Sequence, residues 1–258
     1  MTTLDGYLDQ LLSRGRAYFS MEEALSALGL GRGAFIAAAA RLAKKGRLAS
    51  PRRGFYLILR PEDRIAGAPD PVRWIDPLMR YLGLDYRVSL LSAAAFHGAS
   101  HQAAMVFQVI APKQLRSFEL GRHRLQFLYQ EPAAFARVNQ PEWLGQMKSE
   151  AGYARVAGVE LTLLDSARYF HKAAGINGVA QIVKDLGAKA DPRRLAKAAE
   201  AYEFASVRRL GYANESFIVN NYCVFIILGD GFSCTRPAEL CSATSCARPW
   251  LSRRPGYG

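Results

Sequence analysis

Three short helical patterns followed at once by two extended runs around a Pro-Arg-Arg-Gly turn fill the first sixty residues, and that order leaves few folds open. Leu4, Leu8, Leu11 and Leu12 recur at helical spacing until Gly15 interrupts, which predicts a first helix over residues 3–14 with Tyr7 on its apolar face. Ser20 and Glu23 have the spacing of a capping box, in which the serine oxygen takes the amide three residues on and the glutamate reaches back. A second helix then runs from Met21 to Leu28. The stretch GLGRG at residues 29–33 follows a helix and lacks a Gly-Lys-Ser/Thr ending, so it is a turn between helices and not a phosphate loop. Phe35, Ala39 and Leu42 fall at i, i+4 and i+7 and predict a third helix that stops at Gly46. Arg47 to Leu59 then gives a strand, a turn over Pro51, Arg52, Arg53 and Gly54, and a second strand. Three helices and a hairpin in this order define a winged helix-turn-helix.

The opposite face of the third helix carries Gly33, Ala34, Ala37, Arg41, Lys44 and Lys45. Small side chains let a helix backbone come close to a duplex, and the basic ones neutralise phosphate, as in a recognition helix. No Asp or Glu occurs from Ala24 to Pro61, a stretch holding eight Lys and Arg residues, and the whole chain carries a net charge of +12. An anionic polymer or surface is the partner such a balance suits. The candidate DNA-contacting residues are Arg32, Arg41, Lys44, Lys45, Arg47, Arg52 and Arg53. Among them Lys44, Lys45, Arg52 and Arg53 are expected on phosphates, Arg32 and Arg41 on base edges, and the wing in a neighbouring minor groove. The competing reading is an interaction module in which the winged helix is a docking surface and the larger domain binds protein or RNA.

With 258 residues, half of them hydrophobic, the chain has room for a second and larger domain. The organisation expected is a winged helix over residues 1–62, a proline-rich linker or packed connection over 63–77, an α+β domain over 78–213 and an atypical tail over 214–258. In the α+β domain the pattern predicts helices over residues 74–82 and 92–97, and strands over 86–89, 105–111, 123–129 and 152–159. Its C-terminal part is helical, over residues 161–170 and 176–186, then from the Asp191-Pro192 cap to Phe204, with 207–212 continuing it. The longest apolar run, Val224 to Leu228, is far short of the roughly 20 residues that cross a bilayer. No basic residue leads a hydrophobic stretch at the start, so neither membrane span nor signal peptide is expected. Four cysteines, Cys223, Cys234, Cys241 and Cys246, all fall in the tail, and a cytoplasmic location follows from the cysteine-free remainder.

No catalytic residue, cofactor or metal is expected. His97 and His101 stand at i, i+4, yet Gly98 lies between them and the glutamate of a zinc-protease helix is missing. The cysteines form no CxxC pair. Asp165 has no second carboxylate with a neighbouring lysine at nuclease spacing and is expected to cap or to pair with Arg168 or an arginine of the last helix. Ser89 and Ser92 lack the GxSxG elbow of a nucleophile and are expected to cap a helix.

The segments LAKKGRL and RRGFYL of the wing region, YRVSLLSAAAFHGASHQ from Tyr86, VELTLLDSARYF from Val159 and ASVRRLGY from Ala205 together resemble the AbiEi family of antitoxins. The resemblance covers about residues 1–212. It implies an N-terminal winged helix that binds inverted repeats in its own promoter and represses the operon, and a C-terminal domain required for antitoxicity. It also implies a cognate toxin resembling a nucleotidyltransferase, opposed without a tight complex, in a type IV toxin-antitoxin and phage-exclusion system. The DNA-facing role carries over to the seven basic residues named above; no residue carries over for antitoxicity. The chain departs from the family after ASVRRLGY: from about Asn214 it becomes rich in Cys, Ser, Arg and Pro and reads as a foreign tail, expected to pack poorly.

Overall fold

The computed structural model describes residues 3–99, 106–149 and 152–215. The cysteines, His101 and the tail beyond Glu215 lie outside them. Helix α1 (Leu4–Ser13) is capped by Thr3, whose Oγ1 accepts the Gly6 amide at 3.2 Å. Strand β1 (Tyr18–Ser20) follows, too short for its periodicity to be read from sequence. Ser20 caps α2 (Met21–Leu28) by accepting the Glu23 amide, but the Glu23 carboxylate does not complete the box; it forms a bidentate pair with Arg16. A left-handed Gly29 (φ 62°) closes α2, and Gly31 opens α3 (Arg32–Lys44). Strands β2 (Leu48–Arg52) and β3 (Phe55–Ile58) form the hairpin, with a register shift between Ala49 and Arg52. β1 adds to the far edge of β3, giving a three-stranded antiparallel sheet ordered β1-β3-β2.

Alternation along β3 assigns its two faces to two cores. Tyr56 and Ile58 pack with Leu8, Phe19, Phe35 and Leu42 inside the winged helix, where Phe19 stacks on Tyr56 and meets Phe35 and Tyr7 edge-on. Phe55 and Leu57 point the other way, into the core of the larger domain. The wing sheet is therefore a wall common to both domains.

The connection over residues 61–74 is packed. Asp63 pairs with Arg73 at 3.0 Å, and Trp74 is 1% exposed with its indole Nε1 donating to the Pro69 carbonyl at 2.9 Å. The turn at Gly121 sits so tightly on this stretch that a Cβ there would lie 2.1 Å from the Ala66 oxygen.

The larger domain is α+β. After α4 (Ile75–Tyr81) come β4 (Arg87–Val88), α5 (Leu90–Phe96), β5 (Val106–Ala111), β6 (Phe118–Leu120), β7 (His123–Tyr129), α6 (Pro132–Val138), β8 (Leu144–Ser149) and β9 (Gly152–Ala157). The strands form a six-stranded sheet ordered β6-β7-β5-β4-β9-β8, parallel at β5/β7 and β4/β9 and antiparallel elsewhere. The helical end follows: α7 (Val159–Arg168), α8 (Gly175–Leu186), α9 (Pro192–Ala199) and α10 (Phe204–Glu215). Strands β6 and β8 and helix α6 are additions to the sequence expectation, and α9 stops at Ala199 rather than Phe204. Asp191 caps α9 by accepting the Arg193 and Arg194 amides. Among the described residues no single helix is long and apolar enough to cross a membrane.

Candidate nucleic-acid interface

Helix α3 buries Phe35, Ala39 and Leu42 and turns Arg32, Gly33, Ala34, Ile36, Ala37, Ala40, Arg41, Lys44 and Lys45 to solvent. The outward stripe at Gly33, Ala37 and Ala40 carries nothing longer than a methyl group, so the helix backbone is accessible along it. Basic residues border it: Arg32 in the first turn, Arg41, Lys44 and Lys45 in the last.

The structure separates the seven basic residues into two sets. Arg32, Arg41, Lys44 and Lys45 lie exposed on α3 or its C-cap, and Arg53 is exposed at the tip of the wing. Arg47 and Arg52 are committed elsewhere. The Arg47 guanidinium bridges Asp5 and Asp9 of α1, tying the end of α3 to the first helix. Arg52 reaches from β2 onto the larger domain, its guanidinium 4.8 Å from the Phe118 ring centre and 5.9 Å from that of Phe127, and donates to the Arg116 carbonyl. Burial, and then the charge of Arg116, lower the Arg52 pKa from its ordinary value. The phenol of Tyr81 on α4 donates to the Arg53 carbonyl at 3.2 Å and fills the space beside Gly54, where a Cβ would stand 2.4 Å from Tyr81 Oη. With Gly54 at φ 84°, glycine is required there twice over, by conformation and by contact. These contacts seat the wing on the larger domain.

The second polar assembly is internal. Asp165 of α7 is fully buried and receives four hydrogen bonds: Arg87 Nε at 2.9 Å and Nη2 at 2.8 Å, Ser89 Oγ at 2.7 Å and Tyr202 Oη at 2.7 Å. Arg87 Nη2 also donates to Gln130 Oε1 at 2.6 Å. Burial disfavours the Arg87 charge, and the Asp165 carboxylate more than restores it, so its pKa rises. Burial and then the Asp165 charge push Tyr202 well above the ordinary phenol range, and they push Tyr169 up to about 12.

Several pairings differ from the sequence reading. Asp165 pairs with Arg87, seventy-eight positions away, whereas Arg168 pairs with Glu203. Neither serine caps α5: Ser89 serves Asp165, and Ser92 Oγ accepts the Gln108 amide and donates to the Val106 carbonyl. His97 ends α5, and its Nε2 donates to the Ala157 carbonyl at 2.7 Å. Sequence reasoning passed over Arg87, Gln130 and Tyr202, whose only local signal was polarity within apolar runs, and Ile36, which stands off the Phe35, Ala39 and Leu42 face. Among the described residues no group of three His, Cys, Asp or Glu side chains has the arrangement to hold a metal ion.

A winged helix with an exposed, basic, small-residue face, seated on an α+β domain through a common sheet, defines a winged-helix protein with an appended α+β domain. Residues 87–216 match the family model of the AbiEi antitoxin C-terminal domain, and residues 7–58 match that of the transcriptional regulator, AbiEi antitoxin. The chain belongs to the AbiEi antitoxin family: it is an antitoxin with a transcriptional-regulator role. No match was found among curated proteins. Among solved structures, the chain is similar to the RV2827C protein from Mycobacterium tuberculosis, at 17% identity and a TM-score of 0.54 over 81% of this chain and 75% of that one. That likeness concerns the fold.

Proposed function

We propose that the chain is a DNA-binding autorepressor and antitoxin of a type IV system, acting on inverted repeats in its own promoter and opposing a nucleotidyltransferase-like toxin without a tight complex. The observation that carries the DNA half is the exposed face of α3, where Arg32, Arg41, Lys44 and Lys45 border a stripe of glycine and alanine. Lys44, Lys45 and Arg53 are the phosphate contacts, and Arg32 and Arg41 the base-edge contacts. Arg47 and Arg52 belong to the same basic set but hold the third helix and the wing in place through contacts their guanidinium groups already make within the protein. The repressor is not an enzyme in this reading, and the larger domain carries antitoxicity.

The test is fluorescence anisotropy with the DNA upstream of its own gene and a scrambled duplex, each at two salt concentrations. Tighter, salt-sensitive binding to the upstream duplex supports repression. Equal weak binding to both overturns it and turns attention to protein or RNA partners of the larger domain. Arg41→Ala is expected to weaken upstream DNA more than scrambled DNA, while Lys45→Ala weakens both alike; equal losses for the two variants would overturn the division of roles. Co-expression with the product of the neighbouring gene tests antitoxicity separately.

A further inference from the structure

We infer that Ile36 reads a thymine 5-methyl group in the major groove, so that α3 recognises its site by an apolar contact as well as by its arginines. This rests on the DNA-binding reading above and deepens it. Ile36 is 50% exposed, stands in the second turn of α3 and belongs to neither hydrophobic core, although Phe35 beside it is fully buried. Every other apolar side chain that α3 exposes is an alanine. A β-branched residue is a poorer helix former than alanine and leaves apolar surface in water, so nothing in the folding of α3 calls for it at that position.

Its position fits a base contact. Residues in the N-terminal part of a recognition helix commonly reach base edges. Arg32 lies one turn before Ile36 and Ala40 one turn after, so the three share a row along the helix. At roughly 100° per residue, that row runs beside Gly33 and Ala37 and meets the small-residue stripe at Ala40. A backbone brought close by glycine and alanine leaves Ile36 as the projecting apolar group. The one apolar group that a base pair presents in the major groove is the thymine methyl. The basic surround supplies attraction common to all sequences, and the isoleucine adds discrimination between thymine and a pyrimidine without the methyl.

The experiment measures anisotropy with three duplexes: the upstream DNA, the same DNA with deoxyuridine in place of every thymidine, and a scrambled duplex. For the unaltered protein, loss of the methyl groups is expected to weaken upstream binding about fourfold for each methyl it buries. Ile36→Ala is expected to bind the thymidine duplex as weakly as the unaltered protein binds the deoxyuridine one, and to show no preference between the two. Ile36→Val, with a shorter side chain, keeps part of the preference. A circular dichroism spectrum matching the unaltered protein establishes that each exposed-site variant is folded. Preferential upstream binding that is indifferent to deoxyuridine, or a deoxyuridine penalty that persists in Ile36→Ala, overturns the assignment of Ile36 alone. Failure to prefer upstream over scrambled DNA overturns the DNA-binding reading itself, and the assignment with it.

Discussion

Replacing Asp165 with alanine is expected to cost more stability than any surface change in this protein. Both members of the Arg87–Asp165 pair are fully buried, and the carboxylate accepts four hydrogen bonds from three side chains. Removing it strands a guanidinium in the interior, at about 3–5 kcal/mol, and leaves the Ser89 and Tyr202 hydroxyls without their acceptor. That is a large part of the roughly 5–15 kcal/mol by which a domain is stable. With a urea dependence near the upper end of about 1–3 kcal/mol per molar, the unfolding midpoint falls by about 1–2 M. Circular dichroism in urea measures it. Asp165→Asn gains little, because its amide nitrogen meets donors where the carboxylate met them. The double variant Arg87→Met with Asp165→Leu removes the stranded charge but leaves Ser89, Tyr202 and Gln130 without their partners, and is expected to regain about half of the loss. An Asp165→Ala midpoint within about 0.3 M of the parent, or a double variant no more stable than the single, would refute the reasoning. Because Phe55 and Leu57 of the wing lie in the core of the larger domain, the two domains are expected to unfold in one transition.

Arg52→Ala removes the stacking on Phe118 and Phe127 and the bond to the Arg116 carbonyl, an expected loss of about 1–2 kcal/mol of stability. It weakens upstream DNA binding while leaving the salt dependence unchanged, whereas Arg53→Ala lowers the slope by about 0.9; a slope change in Arg52→Ala would return that residue to the phosphates. Alkaline pH is a third perturbation. Tyr169, pushed up to about 12, and Tyr202, raised well above the ordinary phenol range, keep their protons in the folded protein where the unfolded chain loses them. The contribution of these two phenols to stability is then complete below about pH 10 and falls as pH rises towards 12. Urea midpoints that do not fall above pH 10 would contradict it.

The winged helix was largely legible because its signals are local. The serine cap at Ser20, the glycine turn at 29–33 and the i, i+4, i+7 spacing of Phe35, Ala39 and Leu42 each act within a few residues. Strands β1 and β6, three residues each, were not legible, since strands so short are defined by the neighbour they join and not by their own alternation. The basic face of α3 followed from helical spacing, but the fate of two arginines did not. Arg47 and Arg53 are equally basic in sequence, and only the fold brings Asp5 and Asp9 beside the first.

The sequence alone established the helix-helix-helix-hairpin order of the N-terminal domain, the positive charge of its third helix and the family resemblance, all properties of neighbouring residues or of their sum. Tertiary structure decided which polar groups meet. Asp165 finds Arg87 across seventy-eight positions, and Arg52 finds the Arg116 carbonyl across sixty-four, through sheet order and helix packing that no short window of sequence contains. A buried charge must have a partner, and only the folded chain specifies where that partner comes from.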